Sequence, residues 1–198
     1  MEECEGLLTG DILFDCDNPP VGGIEVNVLL ANKSDVDYAT TTFDPANKTI
    51  CTNLQLLPEK TGYYIQGVKQ VQKGSSELVI KESGPNKHKH TFAGVALNFS
   101  RENKLQLQSM SEGGSFIAVL ELKWKGVDNK DAYQILGLKS GLEMSVMTWS
   151  TAENDGTVLF ELSSPDGYEE PTLPHTLLET SYALTRTAFG NKFAQAAI

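Results

Sequence analysis

The sequence predicts a mainly β protein: an antiparallel β-sandwich or barrel, with one flanking α-helix and extended terminal arms. Three observations carry that reading. Runs of alternating apolar and polar residues recur about nine times along the chain. Residues that favour tight turns separate these runs. Chain breakers crowd both ends, whereas one internal stretch alone carries helix start and stop signals.

The elements follow in order. The first 23 residues contain Asn18-Pro19-Pro20 and Gly22-Gly23, and they read as an arm with a short apolar patch at Ile12-Leu13-Phe14. Ile24 to Leu30 alternates as a strand. Asn32 to Lys48 is polar and predicts a long loop or a protruding hairpin. Thr49 to Leu54 and Tyr63 to Val68 are the next strands, with a turn at Glu59 to Gly62. Glu77 to Glu82 and Lys89 to Phe99 follow, joined by Ser83-Gly84-Pro85-Asn86, a sequence suited to a tight turn.

Ser100 can cap a helix with Glu102 in its first turn, and Gly113-Gly114 can end it. Phe116 to Lys125 alternates, with Phe116, Ala118, Leu120, Leu122 and Trp124 on one face. Val127 to Lys130 turns the chain, and Ala132 to Leu138 returns. Glu143 to Trp149 and Thr157 to Leu162 form a hairpin whose turn contains the favoured pair Asp155-Gly156. Beyond Ser163 the alternation fades, and Pro165, Pro171 and Pro174 break the chain. The expected organisation is an N-terminal arm (1–23), a β-sandwich domain (24–164) with its helix near 101–112, and a C-terminal arm (165–198) with scope for one added strand.

Composition narrows the function classes. The 198 residues are 40% hydrophobic and 21% charged, as in ordinary globular domains. The net charge of −10 argues against a sequence-reading nucleic-acid binder, which needs a basic face. It argues equally against an anionic membrane surface. No run approaches the roughly 20 apolar residues of a membrane span. The start, Met1-Glu2-Glu3-Cys4-Glu5, lacks the basic region of a secretory signal. Cys4, Cys16 and Cys51 are an odd count, which predicts reduced thiols and an intracellular origin.

Candidate chemistry is sparse. His88 and His90 share one face of a strand, but a metal site needs further ligands, and a plain surface strand is the simpler reading. His175 lies in a proline-rich loop. Asp15, Asp17 and Asn18 begin like a calcium loop, and Pro19-Pro20 then spoil the pattern. The pairs Asp35/Asp37 and Asp128/Asp131 read as solvated loops. The cysteines lack Cys-x-x-Cys spacing, and a zinc site built from three cysteines and three histidines is a remote idea. Nucleotide-binding and nucleophile-elbow glycine motifs are absent from the sequence. Trp124 is expected in the core; Tyr63 and Tyr64 point to opposite faces of their strand. No catalytic, cofactor-binding or metal-ligating residue is assigned, and no enzyme activity or cofactor is expected.

Three pieces of sequence point to a family. They are Cys16-Asp17-Asn18-Pro19-Pro20-Val21-Gly22-Gly23-Ile24; Thr61-Gly62-Tyr63-Tyr64-Ile65-Gln66-Gly67-Val68; and Phe116 to Glu121 followed, after a turn, by Ala132 to Glu143. Together they resemble structural proteins of tailed phages of gut Bacteroidetes, including the crAss-like phages. The layout is similar to the tail-tube fold. The resemblance runs from about Cys16 to about Pro174.

The resemblance implies a virion structural protein, assembled in the bacterial host cytoplasm, that forms a homo-oligomeric ring in the phage neck or tail. A tail-tube subunit and a neck or tail-completion ring protein both fit, as do sixfold and twelvefold rings. The implied partners are further copies of the chain and adjacent portal, neck or tail ring proteins, with DNA passing non-specifically through the lumen and no membrane contact. On that reading an acidic wall repels phosphate and lets DNA slide during ejection. The alternative is a β-sandwich carbohydrate- or receptor-binding module of a virion fibre, suggested by the aromatic residues and by Tyr63/Tyr64.

Overall fold

The structure is a computed structural model and describes Leu8, residues 10–68 and residues 71–195. Two sheets and two helices make up the described chain. The strands are β1 (Ile24–Asn32), β2 (Thr42–Phe43), β3 (Ile50–Asn53), β4 (Tyr63–Gln66), β5 (Lys73–Val79), β6 (Lys87–Ala96), β7 (Phe116–Leu122), β8 (Tyr133–Leu136), β9 (Glu143–Trp149), β10 (Val158–Ser163) and β11 (His175–Leu177). The helices are α1 (Arg101–Ser111) and α2 (Tyr182–Gly190).

The larger sheet has the order β2-β3-β11-β8-β7-β1-β4, and the smaller has the order β5-β6-β10-β9. All ladders are antiparallel except β3 with β11. The expected mainly β class is what the chain adopts, and two open sheets stack as in a sandwich.

Alternation explains how the sheets stack. Val28 and Leu30 of β1, Ala118 and Leu120 of β7, and Leu136 of β8 meet Phe92 of β6 and Val158, Phe160 and Leu162 of β10. Leu107 of α1 closes one side of that core. The opposite face of the same central strands is buried as well. Leu29, Ala31, Ile117, Val119, Tyr133 and Ile135 pack against Cys51, Leu54, Leu56, Leu177, Phe189 and Phe193. The centre of the large sheet is therefore covered on both sides, which is why Val28–Ala31 of β1 and Phe116–Leu120 of β7 are continuous apolar, buried runs.

The turns follow their sequences in part. Ser100 Oγ accepts the Asn103 amide at 3.2 Å and caps α1, and Gly113 leaves the helix at φ 98°. Asp155 and Gly156 both take positive φ, but they lie in an eight-residue loop, residues 150–157, that joins β9 to β10 in place of the two-residue turn expected.

The C-terminal segment differs from expectation. Residues 165–195 do not stand off as an arm: β11 lies inside the large sheet between β3 and β8, and α2 packs Phe189 on the core. A second helix therefore joins the one expected near 101–112. Its buried positions include Thr185, whose hydroxyl donates to Ser181 O at 3.1 Å and accepts the Glu179 amide at 2.9 Å. A polar residue on the buried face blurred the helical apolar pattern.

The segment 32–48 is docked in part and exposed in part. Asp35, Val36 and Thr41 are buried, and Tyr38 Oη donates to Leu138 O at 2.7 Å. Residues 38–40 and 45–49 are exposed as runs there, the second at the turn between β2 and β3.

Candidate interaction surfaces

The three histidines converge, though as a structural knot. His90 is buried on β6; its Nε2 donates to Thr172 O at 3.0 Å and its Nδ1 accepts the Gly137 amide at 3.2 Å. Both ring nitrogens are thus used by a neutral imidazole, and burial pushes its pKa down to about 4. His175 is also buried, with Nε2 3.2 Å from Thr172 Oγ1, and burial likewise lowers its pKa. Thr172 therefore ties two strands of different sheets through two imidazoles.

Glu170 completes the knot. Its backbone exchanges both hydrogen bonds with His88, at 2.8 and 2.9 Å. Its carboxylate is buried and accepts the amides of Lys139, at 3.0 and 3.2 Å, and Ser140, at 2.6 Å. Burial raises this pKa while the amides work against the rise. Glu170 pins the loop after β10 to the turn between β8 and β9. No sequence motif marks it, because its partners are main-chain amides.

The other candidate groups stay apart. Asp17 N donates to Asp15 Oδ1 at 2.9 Å, a local turn. Asp35 is held by Asn32 Nδ2 at 2.8 Å and Lys60 at 3.3 Å, so it braces a loop where a solvated residue was expected. Asp128 pairs with Lys130 at 3.1 Å. Cys16 is exposed, and Cys51 is buried with its thiol pushed up to about 12 by desolvation. Cys4 lies outside the described residues. Among the described residues no three His, Cys, Asp or Glu side chains group as metal ligands.

The aromatic residues separate into braces and exposed groups. Tyr64 Oη donates to Phe189 O at 2.6 Å, while Tyr63, on the opposite face, is 55% exposed. Trp124 was expected in the core but is half-buried beyond the end of β7, and its Nε1 donates to Asn18 O at 3.1 Å. An indole N–H needs such a partner, and the N-terminal segment supplies it. Trp149 is 47% exposed and stacks on Phe99 with ring centres 4.7 Å apart.

Two surfaces stand out for their exposed apolar side chains. One is the extended N-terminal segment, where Ile12, Leu13 and Phe14 are 90%, 83% and 69% exposed. The other is β9, an edge strand whose Val146, Met147 and Trp149 are each almost half exposed. Sequence analysis picked out the first through its apolar patch. The second had a readable signal, the uncharged run Met144 to Ala152, that alternation alone did not bring forward.

Comparison with known proteins finds no matching family model, no matching curated protein and no matching solved structure. Among the described residues, no helix is long and apolar enough to cross a membrane.

Proposed function

We propose that this chain is a non-enzymatic virion structural protein that forms a homo-oligomeric ring in the neck or tail of a tailed phage, around the DNA conduit. The observation that carries the reading is the pairing, on one chain, of an extended apolar segment with an unguarded sheet edge. A ring of identical subunits needs a donor and an acceptor surface on every copy, and an exposed apolar segment and an exposed sheet edge are candidates for the two. The sequence resemblance to structural proteins of Bacteroidetes phages supports the same conclusion, as does the sandwich architecture with a flanking helix. The excess of acidic residues suits a passage through which DNA must slide without sticking. Adjacent portal, neck or tail rings are the partners above and below, and the virion is its location.

Cryo-electron microscopy of purified virions tests this directly. Density for the chain in a ring of the neck or tail supports the reading. A virion proteome that lacks the chain overturns it. The second reading, a glycan-binding module of a fibre, is favoured by the exposed rings of Tyr63 and Tyr168, 55% and 75% exposed. A glycan-array signal lost in Tyr63→Ala or Tyr168→Ala would favour that module over the ring.

A further inference from the structure

The N-terminal segment and the β9 edge match each other in chemistry. In an extended chain Leu8, Gly10, Ile12 and Phe14 fall on one side, and Asp11, Leu13 and Asp15 on the other. That is the pattern of a half-buried strand, yet Leu8, Ile12 and Phe14 are 79%, 90% and 69% exposed, and residues 11–15 pair with no strand of their own chain.

β9 is seven residues long and ends its sheet. Met144, Met147 and Trp149 lie opposite Leu162, Phe160 and Val158 of β10, so they extend the face of the sheet that holds the core. Met147 and Trp149 nevertheless remain 45% and 47% exposed. Edge strands are ordinarily guarded by charge, as Lys73 and Glu77 guard β5. Only Glu143 at the start of β9 and Glu153 and Asp155 in the loop after it are charged; the run Met144 to Ala152 between them carries no charge.

We propose that the N-terminal segment of one copy adds as a fifth strand along β9 of the next copy. Ile12 and Phe14 then cover Met147 and Trp149, while Asp11 and Asp15 stay in water on the outer side. The match of an apolar face with an apolar ledge, and of the acidic face with solvent, selects this occupant. A neighbour is favoured over the same chain because, with Asn18 fastened beside Trp124, residues 11–15 run exposed and unpaired and do not lie along β9 of their own chain. A donor and an acceptor on each copy make a head-to-tail contact, which gives a ring where the rotation between copies closes and a filament where it does not. The inference rests on the ring reading and names the contact that builds the ring.

Cys16 supplies a native probe, because it is exposed and adjoins the apolar patch. In the full chain carrying Cys4→Ser, a second cysteine is placed on β9 by Met144→Cys, on the same face as Met147 and Trp149, and on the other edge by Glu77→Cys as a control. The expected result on mild oxidation is a ladder of disulfide-linked multimers for Met144→Cys and not for Glu77→Cys. Independently, Ile12→Asp with Phe14→Asp is expected to weaken association about tenfold or more, as when buried apolar anchors leave an interface. A disulfide closed within one monomer, or equal cross-linking from Glu77→Cys, overturns the proposal. Rings that form without the β9 cross-link overturn this contact and leave the ring reading standing. A chain that stays monomeric to its solubility limit and is missing from virions removes both.

Discussion

Tyr64 Oη donates a 2.6 Å hydrogen bond to the main-chain oxygen of Phe189, tying edge strand β4 to helix α2. The two rings also meet, with centres 5.5 Å apart. One end of the large sheet is thus fastened to the C-terminal helix by a polar and an apolar contact in the same place.

The two contacts should separate by mutation. Tyr64→Phe keeps the ring and loses the hydrogen bond, and should cost about 1 kcal/mol. Phe189→Ala removes a buried aromatic side chain from the second core and should cost about 3–5 kcal/mol. Urea unfolding midpoints at constant m-value measure both. A loss below 1 kcal/mol for Phe189→Ala would mean that α2 does not pack as described.

His90 predicts acid sensitivity. Its folded-state pKa is about 4 against 6.5 unfolded, so the folded protein disfavours the proton. Stability from this group is complete above pH 6.5 and is lost as pH falls towards 4, by up to about 3 kcal/mol. His175 titrates in the same direction. Denaturation midpoints across that window should fall for the native chain and fall less for His90→Gln, which cannot charge. A flat profile for the native chain would overturn the assignment.

Glu170→Ala should be among the more damaging single changes. It leaves the part-buried amides of Lys139 and Ser140 without their carboxylate acceptor, at about 1–3 kcal/mol. Glu170→Gln should cost less, because one oxygen of Glu170 alone already takes both amides, at 3.0 and 2.6 Å. Calorimetric melting of both variants ranks them.

Trp124→Phe should free the N-terminal segment without unfolding the body. The indole N–H to Asn18 O bond is lost while most of the half-buried ring area is kept. Limited proteolysis between Asp11 and Asn18 should quicken, with a melting temperature close to that of the native chain. A large drop in melting temperature would show that Trp124 carries more of the core than its half-burial implies.

Much of the fold was legible because alternation is a direct record of the pleat. β1, β6, β7, β9 and β10 lie where their patterns place them, and Ser100 caps α1 as its position requires. What escaped was carried by short or mixed signals. β11 has three residues, too few for a period, and α2 hides Thr185 on its buried face. The docking of Asp35 and Glu170 was unreadable because their partners are a distant lysine and main-chain amides. Of the proposed contact, the Ile12–Phe14 patch was visible in sequence. The acceptor edge was not, since being an edge depends on which strands pair elsewhere.

The insertion of β11 between β3 and β8 sets the order in which the chain can be completed. Until His175–Leu177 has been synthesised, the β2–β3 hairpin has no neighbour in the large sheet, and Cys51 and Leu54 lack the cover of Leu177 and Phe189. A growing chain on the ribosome is therefore held back from closing its second core until β11 and α2 have emerged.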